Sequence, residues 1–358
     1  MKFIAATASY DAWLRQRCEV YGPDLAHKTI EMAESAFAFH RGTYYRWAQT
    51  WAKRVPEVAD APRVLAVGDL HVENFGTWRD ADGRLVWGVN DFDDADDLPY
   101  ANDLLRLAAS VRFAKTSAGL NLKFSKACRW MLDGYRAHLE AGGGPFVLEE
   151  HHPELRALAM AERREPVEFW AKLARVLESP AVEPPEEAQR AMLSSLPEGP
   201  KELHFRRREK AGVGSLGKPR FVLLAEWAGS WIAREAKAIA PPATAWADGT
   251  DSHSRIGEVL GRAVRCPDPI YRVSDRWLVR RLAPRTSRIE LKELKTVDDV
   301  RELFAAMGAE TANVHLGTPG ATAAILADLA ARPDGWLADA ADAMAGFIRE
   351  EWAAWKAV

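Results

Sequence analysis

The chain has 358 residues, enough for two packed lobes and a large buried core. Hydrophobic residues make up 48% of it and charged residues 28%, a globular balance that argues against disorder. The formal net charge of −3 gives no support for nucleic-acid binding, which needs a basic surface. Cys18, Cys128 and Cys266 are an odd number of widely separated cysteines without paired spacing, which argues against a disulfide framework and against a zinc site built on cysteine pairs. With no apolar run of about 20 residues and no signal-peptide pattern, we expect a reduced, cytoplasmic protein without a membrane segment.

The first 200 residues have mainly helical patterns interrupted by two short strands. Helix is predicted for residues 8–55, 103–113 and 125–141, and strands for residues 63–67 and 85–89. The second strand follows the turn signal Asp80-Ala81-Asp82-Gly83. A glycine-rich break at residues 142–145 leads to a charged, proline-punctuated stretch, residues 149–200, which indicates a helical insertion or a connection between lobes.

From Lys201 onward the pattern becomes β-rich and then helical again. Strands are predicted at residues 221–227, 231–236 and 277–282, with a helix at residues 254–264 and further helices from Val297 to the end. Four segments follow: an N-terminal helical segment (1–60), a catalytic-loop and metal-site lobe with a helical insertion (61–200), a β-rich nucleotide-binding lobe (201–295), and C-terminal helices that pack on the catalytic lobe (296–358).

The most informative stretch is the carboxylate loop, residues 68–74 (Gly-Asp-Leu-His-Val-Glu-Asn), together with residues 90–94 (Asn-Asp-Phe-Asp-Asp). Each part follows an apolar strand, and the turn between the strands would bring Asp69, Asn74 and Asp91 together. Phosphoryl transfer needs a carboxylate to take the acceptor proton and hard oxygen ligands for Mg²⁺. Asp69, Asn74 and Asp91 could therefore converge as three oxygen ligands at the end of one hairpin, and Asp93 is a further candidate metal ligand. The alternative is an acidic surface loop whose side chains form turns and helix caps.

The same residues look like the Gly-Asp-Leu-His-x-x-Asn catalytic loop of aminoglycoside phosphotransferases and choline-kinase-like enzymes. The resemblance implies a bilobal, protein-kinase-like α+β fold, with Asp69 as catalytic base, Asn74 as a magnesium ligand and Asp91 as the principal one. The chain departs from that family at Val67, where a histidine is usual.

A glycine-rich segment, residues 212–217 (Gly-Val-Gly-Ser-Leu-Gly), precedes a predicted strand. A strand after the glycines is typical of a kinase-type loop, whose backbone N–H groups face phosphates, whereas a dinucleotide fold would place a helix there. We therefore expect Gly212, Gly214, Ser215 and Gly217 to contact ATP. A plain β-hairpin turn is the alternative.

A basic residue on the strand after the next turn is expected to contact the nucleotide phosphates. Arg234 and Lys237 are both candidates, but their odd separation puts them on opposite faces of a strand. Glu258 is a candidate partner for the cation. Arg41, beside Gly42, is a candidate second phosphate or substrate contact.

The catalytic block precedes the glycine-rich segment, which reverses the order of an ordinary kinase. The late helix around residues 310–315 resembles the helix that directly precedes the catalytic loop in aminoglycoside kinases. Circular permutation reconciles the two orders, since a compact domain tolerates it when its termini lie close together.

The whole chain also resembles the bacterial family called domain of unknown function 2252. The resemblance rests on residues 37–42, 68–76, 89–94, 212–217 and 234–236, which occur in the expected order. That family usually has a lysine where Arg234 stands.

The sequence thus predicts an ATP- and magnesium-dependent phosphotransferase that acts on a small hydroxyl-bearing acceptor. A nucleotidyl transferase, a nucleotide-binding pseudokinase and a metal-dependent phosphohydrolase remain as alternatives. The residues single out neither the acceptor nor an oligomeric state.

Overall fold

The computed structural model describes residues 1–117, 119, 122–160, 166–208, 212–215, 217–284, 286 and 288–357, and it is a mixed α+β protein, as predicted. The helices are α1 (Phe3–Arg15), α2 (Gly22–Glu34), α3 (Ala36–Gly42), α4 (Tyr44–Arg54), α5 (Pro56–Ala59), α6 (Tyr100–Ser117), α7 (Phe124–Ala141), α8 (Pro153–Ala159), α9 (Pro166–Ala174), α10 (Glu186–Leu193), α11 (Ala243–Asp248), α12 (Ile256–Arg262), α13 (Val297–His315), α14 (Ala321–Ala331) and α15 (Trp336–Lys356). The strands are β1 (Arg63–Ala66), β2 (Phe75–Arg79), β3 (Leu85–Val89), β4 (Asp96–Pro99), β5 (Phe146–Val147), β6 (Lys201–Arg207), β7 (Arg220–Trp227), β8 (Ser230–Ala238), β9 (Arg272–Ser274) and β10 (Trp277–Leu282).

The N-terminal helical region is broken into four helices within the predicted span 8–55. Ser35 has an extended backbone and caps α3 by accepting a hydrogen bond from the backbone N–H of Ala38 at 3.1 Å. Thr43 leaves the helical region with φ of −128° and separates α3 from α4. The Ser35 hydroxyl satisfies a free N–H group at the start of α3, whereas the Thr43 hydroxyl donates back to the carbonyl oxygen of Phe39 at 2.7 Å.

The strand pairing around the carboxylate loop differs from the prediction. The turn at residues 80–84 joins β3 to β2, a strand that the sequence did not predict, while β1 pairs with β4. Asp80 fixes the turn, since its side chain accepts the backbone N–H groups of Asp82 and Arg84. A turn this short can connect only adjacent strands, and the residue before it is Arg79 of β2 rather than the end of β1.

A five-stranded antiparallel sheet, in the order β6-β7-β8-β10-β9, carries the three strands predicted after residue 201. Its two faces pack differently. Residues such as Leu223 and Ala236 face α10, while Val222 and Ala233 contact a smaller apolar cluster that includes residues of α9. This alternation decides which side chains of β8 point toward the rest of the protein.

Helices α7 and α13 cross so closely that the backbone of one contacts the backbone of the other. A Cβ atom at Gly134 would lie 2.0 Å from the carbonyl oxygen of Ala305, and one at Gly308 would lie 1.9 Å from the carbonyl oxygen of Met131. Any side chain at either glycine would push the helices apart. The close crossing holds α13 in the main core, where it also contacts β1 and β3.

None of the described helices combines the length and apolar character that crossing a bilayer requires.

Candidate functional site

A polar cleft of about 260 Å³ lies where the five-stranded sheet faces the carboxylate loop. It brings together residues that are more than 140 positions apart in the chain, among them eight of the predicted site residues. The predicted residues that line it are Arg41, Asp69, Asn74, Asp91, Asp93, Gly212, Gly214 and Lys237. Further lining residues are Val67, His71, Glu73, Asn90, Asp94, Arg220, Arg280, Thr286 and Arg288.

Asp69 owes its position to a buried carboxylate on α6. Asp103 accepts the backbone N–H of Val67 at 2.7 Å and that of Gly68 at 2.9 Å, and it contacts Nε2 of His315 on α13 at 3.0 Å. Gly68 has φ of +80°, and a Cβ there would lie 2.1 Å from the carbonyl oxygen of Asp94. The loop therefore leaves β1 along a path that only glycine permits.

One oxygen of Asp69 is held by a buried arginine. Arg106 on α6 donates two hydrogen bonds to Oδ1 of Asp69, at 3.0 and 2.6 Å, and also bonds to His40. Burial raises the pKa of Asp69, against the opposing charge of Arg106. Arg106 was not predicted as a site residue, although one charged residue among the apolar residues of a helix indicates a buried ion pair.

Asn74 and Asp91 lie at the same end of the β2–β3 hairpin. The backbone N–H of Asn90 donates to the carbonyl oxygen of Asn74 at 2.9 Å, which places the next residue, Asp91, beside Asn74. Oδ1 of Asn74 accepts the backbone N–H of His71 at 2.6 Å, so this amide also holds the carboxylate loop. The predicted pair of oxygen ligands is therefore adjacent, on a hairpin of β2 rather than β1.

The hairpin end is supported from α13 by Glu310. Its Oε1 accepts the backbone N–H of Val89 at 3.0 Å, and its Oε2 accepts a hydrogen bond from Asn313 at 2.9 Å. Gly88 leaves the room for it, since a Cβ there would lie 2.3 Å from Oε1 of Glu310. Burial raises the pKa of Glu310 to about 7.

Two lysines reach the carboxylates from the β-rich side. Nζ of Lys237 on β8 lies 2.5 Å from Oδ1 of Asp93 and 3.5 Å from Oδ1 of Asp91, and Nζ of Lys218 lies 3.2 Å from Oδ2 of Asp93. Burial opposes ionisation of Asp93, but the two ammonium groups outweigh it and hold the pKa of Asp93 well below its ordinary range. Lys218 was not predicted, although a lysine directly after the last glycine of the segment is a usable signal.

The glycine-rich segment approaches the carboxylate loop at Gly214. A Cβ at Gly214 would lie 3.6 Å from Oδ2 of Asp69 and 3.1 Å from the carbonyl oxygen of Arg41. Gly217 instead faces α2: its carbonyl oxygen accepts the backbone N–H of Tyr21, and a Cβ there would lie 2.8 Å from Leu25. The side chain of Ser215 lies outside the described part of the structure.

The expectation that Arg234 contacts phosphate is corrected by its position. Its guanidinium donates to the carbonyl oxygen of Ser195, at 3.2 and 3.1 Å, on the α10 side of the sheet. Lys237, three residues later, points into the cleft because side chains alternate along a strand. The suggested partner Glu258 is also wrong, since its carboxylate pairs with Arg255 and Arg262, and Asp91 and Asp93 pair with Lys237 in its place.

Arg41 lines the cleft on the side of the carboxylate loop. Its Nη1 lies 2.8 Å from Oε2 of Glu73, and the same oxygen pairs with Arg288. Glu73 thus joins two arginines from distant parts of the chain at one wall of the cleft.

A second group of arginines surrounds the buried Glu235 of β8. Arg280 contacts its Oε1 at 2.6 Å and Arg220 at 3.2 Å, while Arg208 pairs with Oε2. Burial would raise the pKa of Glu235, but these three guanidinium groups hold it well below its ordinary range. Since Arg220 and Arg280 also line the cleft, Glu235 fixes two cations at its β-rich wall.

The side-chain oxygens of Asp91 and Asn74 fit a magnesium ion whose coordination shell is completed by a bound ligand. In the ranges that the structure describes, no three His, Cys, Asp or Glu side chains form a group able to hold a metal. Magnesium in phosphate-handling sites commonly takes one or two carboxylates and fills its other positions with phosphate oxygens and water. Asp91, whose Oδ1 lies 3.5 Å from Lys237, and the amide oxygen of Asn74 suit that pattern better than Asp93, whose two oxygens lie 2.5 and 3.2 Å from lysine ammonium groups.

Comparison with known proteins supports one family resemblance. Residues 23–179 match the model of a family described as uncharacterized protein conserved in bacteria (DUF2252). The matched region contains Arg41, the carboxylate loop, Asp91 and Asp93, but neither the glycine-rich segment nor β8. No curated protein and no solved structure matches the chain.

Proposed function

We propose that the protein is an ATP- and Mg²⁺-dependent phosphotransferase that transfers the γ-phosphoryl group to a small hydroxyl-bearing acceptor. The observation that carries the proposal is the approach of Gly214 to Asp69, with Lys237 bonded to Asp91 and Asp93 in the same cleft. Glycine backbone, a base carboxylate, a metal carboxylate and a buried lysine are the parts that phosphoryl transfer uses.

Each group has a distinct role in this proposal. Asp69 accepts the acceptor's proton through Oδ2, while Arg106 holds Oδ1 and so orients the carboxylate. Asp91 and Asn74 would hold Mg²⁺, which would supply neutralisation of phosphate charge. Lys237 moves from the carboxylates to the phosphates when nucleotide binds, and the backbone N–H groups of the glycine-rich segment face the phosphates.

A second cavity, of about 190 Å³, is suited to the nucleobase. It shares Asn90, Arg280 and Thr286 with the cleft, and Trp78 and Tyr271 give it aromatic walls. The guanidinium of Arg265 already lies 4.5 Å from the centroid of the Trp78 ring, so Tyr271 is the aromatic wall on which a planar ring would stack. This adjacent cavity favours a nucleotide over a simple phosphate as the phosphoryl donor.

The kinase-like and permuted fold is part of the same proposal. It is supported by the packing of α13 on β1, where His315 contacts Asp103 beside the backbone that leads to Asp69. A helix in that position, together with a glycine-rich loop between two antiparallel strands, supplies the parts of a kinase in a different chain order.

The first test is calorimetry of MgATP binding to the wild type, Asp91→Ala and Asp82→Ala. Asp82 is an exposed aspartate at the opposite end of the same hairpin, so its variant is a matched control for loss of a carboxylate. We expect micromolar to sub-millimolar binding by the wild type and the control, and loss of the magnesium dependence in Asp91→Ala. Absence of binding by folded wild-type protein would contradict the proposal.

A second measurement separates phosphoryl transfer from nucleotidyl transfer. Label in the γ-phosphate of ATP should reach the acceptor, whereas label in the α-phosphate should remain in ADP. Transfer of the α-label would replace the proposal with a nucleotidyl transferase.

A further inference from the structure

A third cavity, of about 200 Å³, opens beside the carboxylate loop. It shares Glu73 and Arg288 with the central cleft, whereas the aromatic cavity shares the different set Asn90, Arg280 and Thr286. The two side cavities therefore join the cleft at different walls.

The most buried residues that line the third cavity are apolar. Its apolar residues are Phe37, Val72, Ala114, Ile289 and Leu291, and the last four are each less than 10% exposed. Its charged residues are already in ion pairs: Glu73 with Arg41 and Arg288, and Lys292 with Glu290 at 2.6 Å. A site built for a polycationic acceptor would need acidic side chains left without such partners.

We propose that this cavity is the acceptor subsite, and that the acceptor is an uncharged alcohol with a compact apolar body. The inference rests on the proposed function and adds the class of its acceptor. Glu73 and Arg288 line both this cavity and the central cleft, and Asp69 lines the cleft, so a molecule seated in the cavity can extend its hydroxyl past these two residues into the space that contains Asp69. The volume is below the about 300–1,000 Å³ of drug-sized sites, which limits the body to a single ring or short chain.

The in-line geometry of phosphoryl transfer explains why two separate cavities are needed. The attacking and leaving oxygens lie on opposite sides of the transferred group, so acceptor and nucleoside must approach it from different directions. The acceptor oxygen forms a bond to the γ-phosphorus as its proton passes to Asp69. The bond between that phosphorus and the β,γ-bridging oxygen breaks, and ADP leaves with the electron pair.

The test uses cyclohexanol as a probe, with binding followed by saturation-transfer NMR in the presence of MgATP. Ala114→Leu fills the cavity from α6, and Ala353→Leu makes the same change at an exposed position of α15. We expect cyclohexanol signals with the wild type and Ala353→Leu and at least a tenfold weaker signal with Ala114→Leu, while MgATP affinity is equal in all three. An equal cyclohexanol signal in Ala114→Leu would overturn the subsite.

A second variant keeps the inference testable if Ala114→Leu does not fold. Leu291→Ala enlarges the cavity, so binding should shift from cyclohexanol toward the larger cyclooctanol. An unchanged preference would contradict the proposal, as would stronger binding of glucosamine, a cationic amino sugar, than of cyclohexanol in the wild type. Failure of the phosphotransferase proposal itself is recognised separately, because the wild type would then not bind MgATP in calorimetry.

Discussion

The two basic residues of β8 provide a matched pair of substitutions, Lys237→Met and Arg234→Met. Both remove a largely buried cation from the same strand, but Lys237 points into the cleft and Arg234 toward Ser195. Only the first should affect nucleotide binding.

The size of the effect follows from the contacts. A hydrogen bond to a charged group contributes about 1.5–3 kcal/mol, so losing the Lys237–phosphate contact should weaken MgATP binding about 10- to 140-fold. Asp93 would keep Lys218 as its remaining cationic partner, so its weaker neutralisation would act in the same direction by repelling phosphate. In Arg234→Met the carbonyl oxygen of Ser195 loses two donors, which should lower the free energy of unfolding by about 1–3 kcal/mol and leave MgATP affinity unchanged.

Calorimetry with MgATP and urea denaturation, on both variants and the wild type, measure the two quantities separately. The reasoning is refuted if Arg234→Met weakens MgATP binding as much as Lys237→Met does. It is also refuted if Lys237→Met binds MgATP with wild-type affinity, because the lysine would then serve only to neutralise Asp93.

Two further predictions concern Asp69 and Glu310. Asp69→Asn keeps an oxygen for Arg106 but cannot accept a proton. Steady-state ADP release should therefore fall about 10²- to 10⁴-fold, while MgATP affinity measured by calorimetry stays unchanged. Turnover at the wild-type rate would show that Asp69 is not the catalytic base. Because burial raises the pKa of Glu310 from 4.5 to about 7, the folded state holds a proton that the unfolded state has lost, and this group's stabilisation declines as pH rises through that interval. The full shift amounts to about 3 kcal/mol, of which about 2.5 kcal/mol falls between pH 5 and pH 8. The change in the free energy of unfolding between these two pH values, measured by urea denaturation, should therefore be smaller by about 2.5 kcal/mol in Glu310→Gln. Equal pH dependence in the variant and the wild type would contradict the assignment.

Local sequence patterns located much of the candidate site but not its supports. Asp69, Asn74 and Asp91 could be found because they follow apolar strands in a short, recognisable order. The pairing of β3 with β2 was missed because β2 begins with Phe75 and Gly76, which also end the motif of residues 68–76. The strand was therefore not recognised. Choosing between Arg234 and Lys237 required knowing which face of β8 is toward the cleft, which depends on packing against α10.

The residues that hold the site in place were the hardest to predict. Arg106 and Glu310 act on parts of the chain 37 and 221 positions away, and no local pattern encodes contacts at that distance. The sequence could identify each as a charged residue in a helix, but only tertiary structure reveals that it faces a backbone group or a carboxylate.

The central position of α13 has a consequence for motion. His315 of this helix contacts Asp103, which holds the loop of Asp69, and Glu310 accepts the backbone N–H of Val89, which leads to Asp91. Its close crossing at Gly308 also holds the helix against α7. The loops that carry Asp69 and Asp91 are therefore tied to the same helix. If the proposed nucleotide enters by movement of the five-stranded sheet away from these loops, that movement separates Lys237 from Asp93.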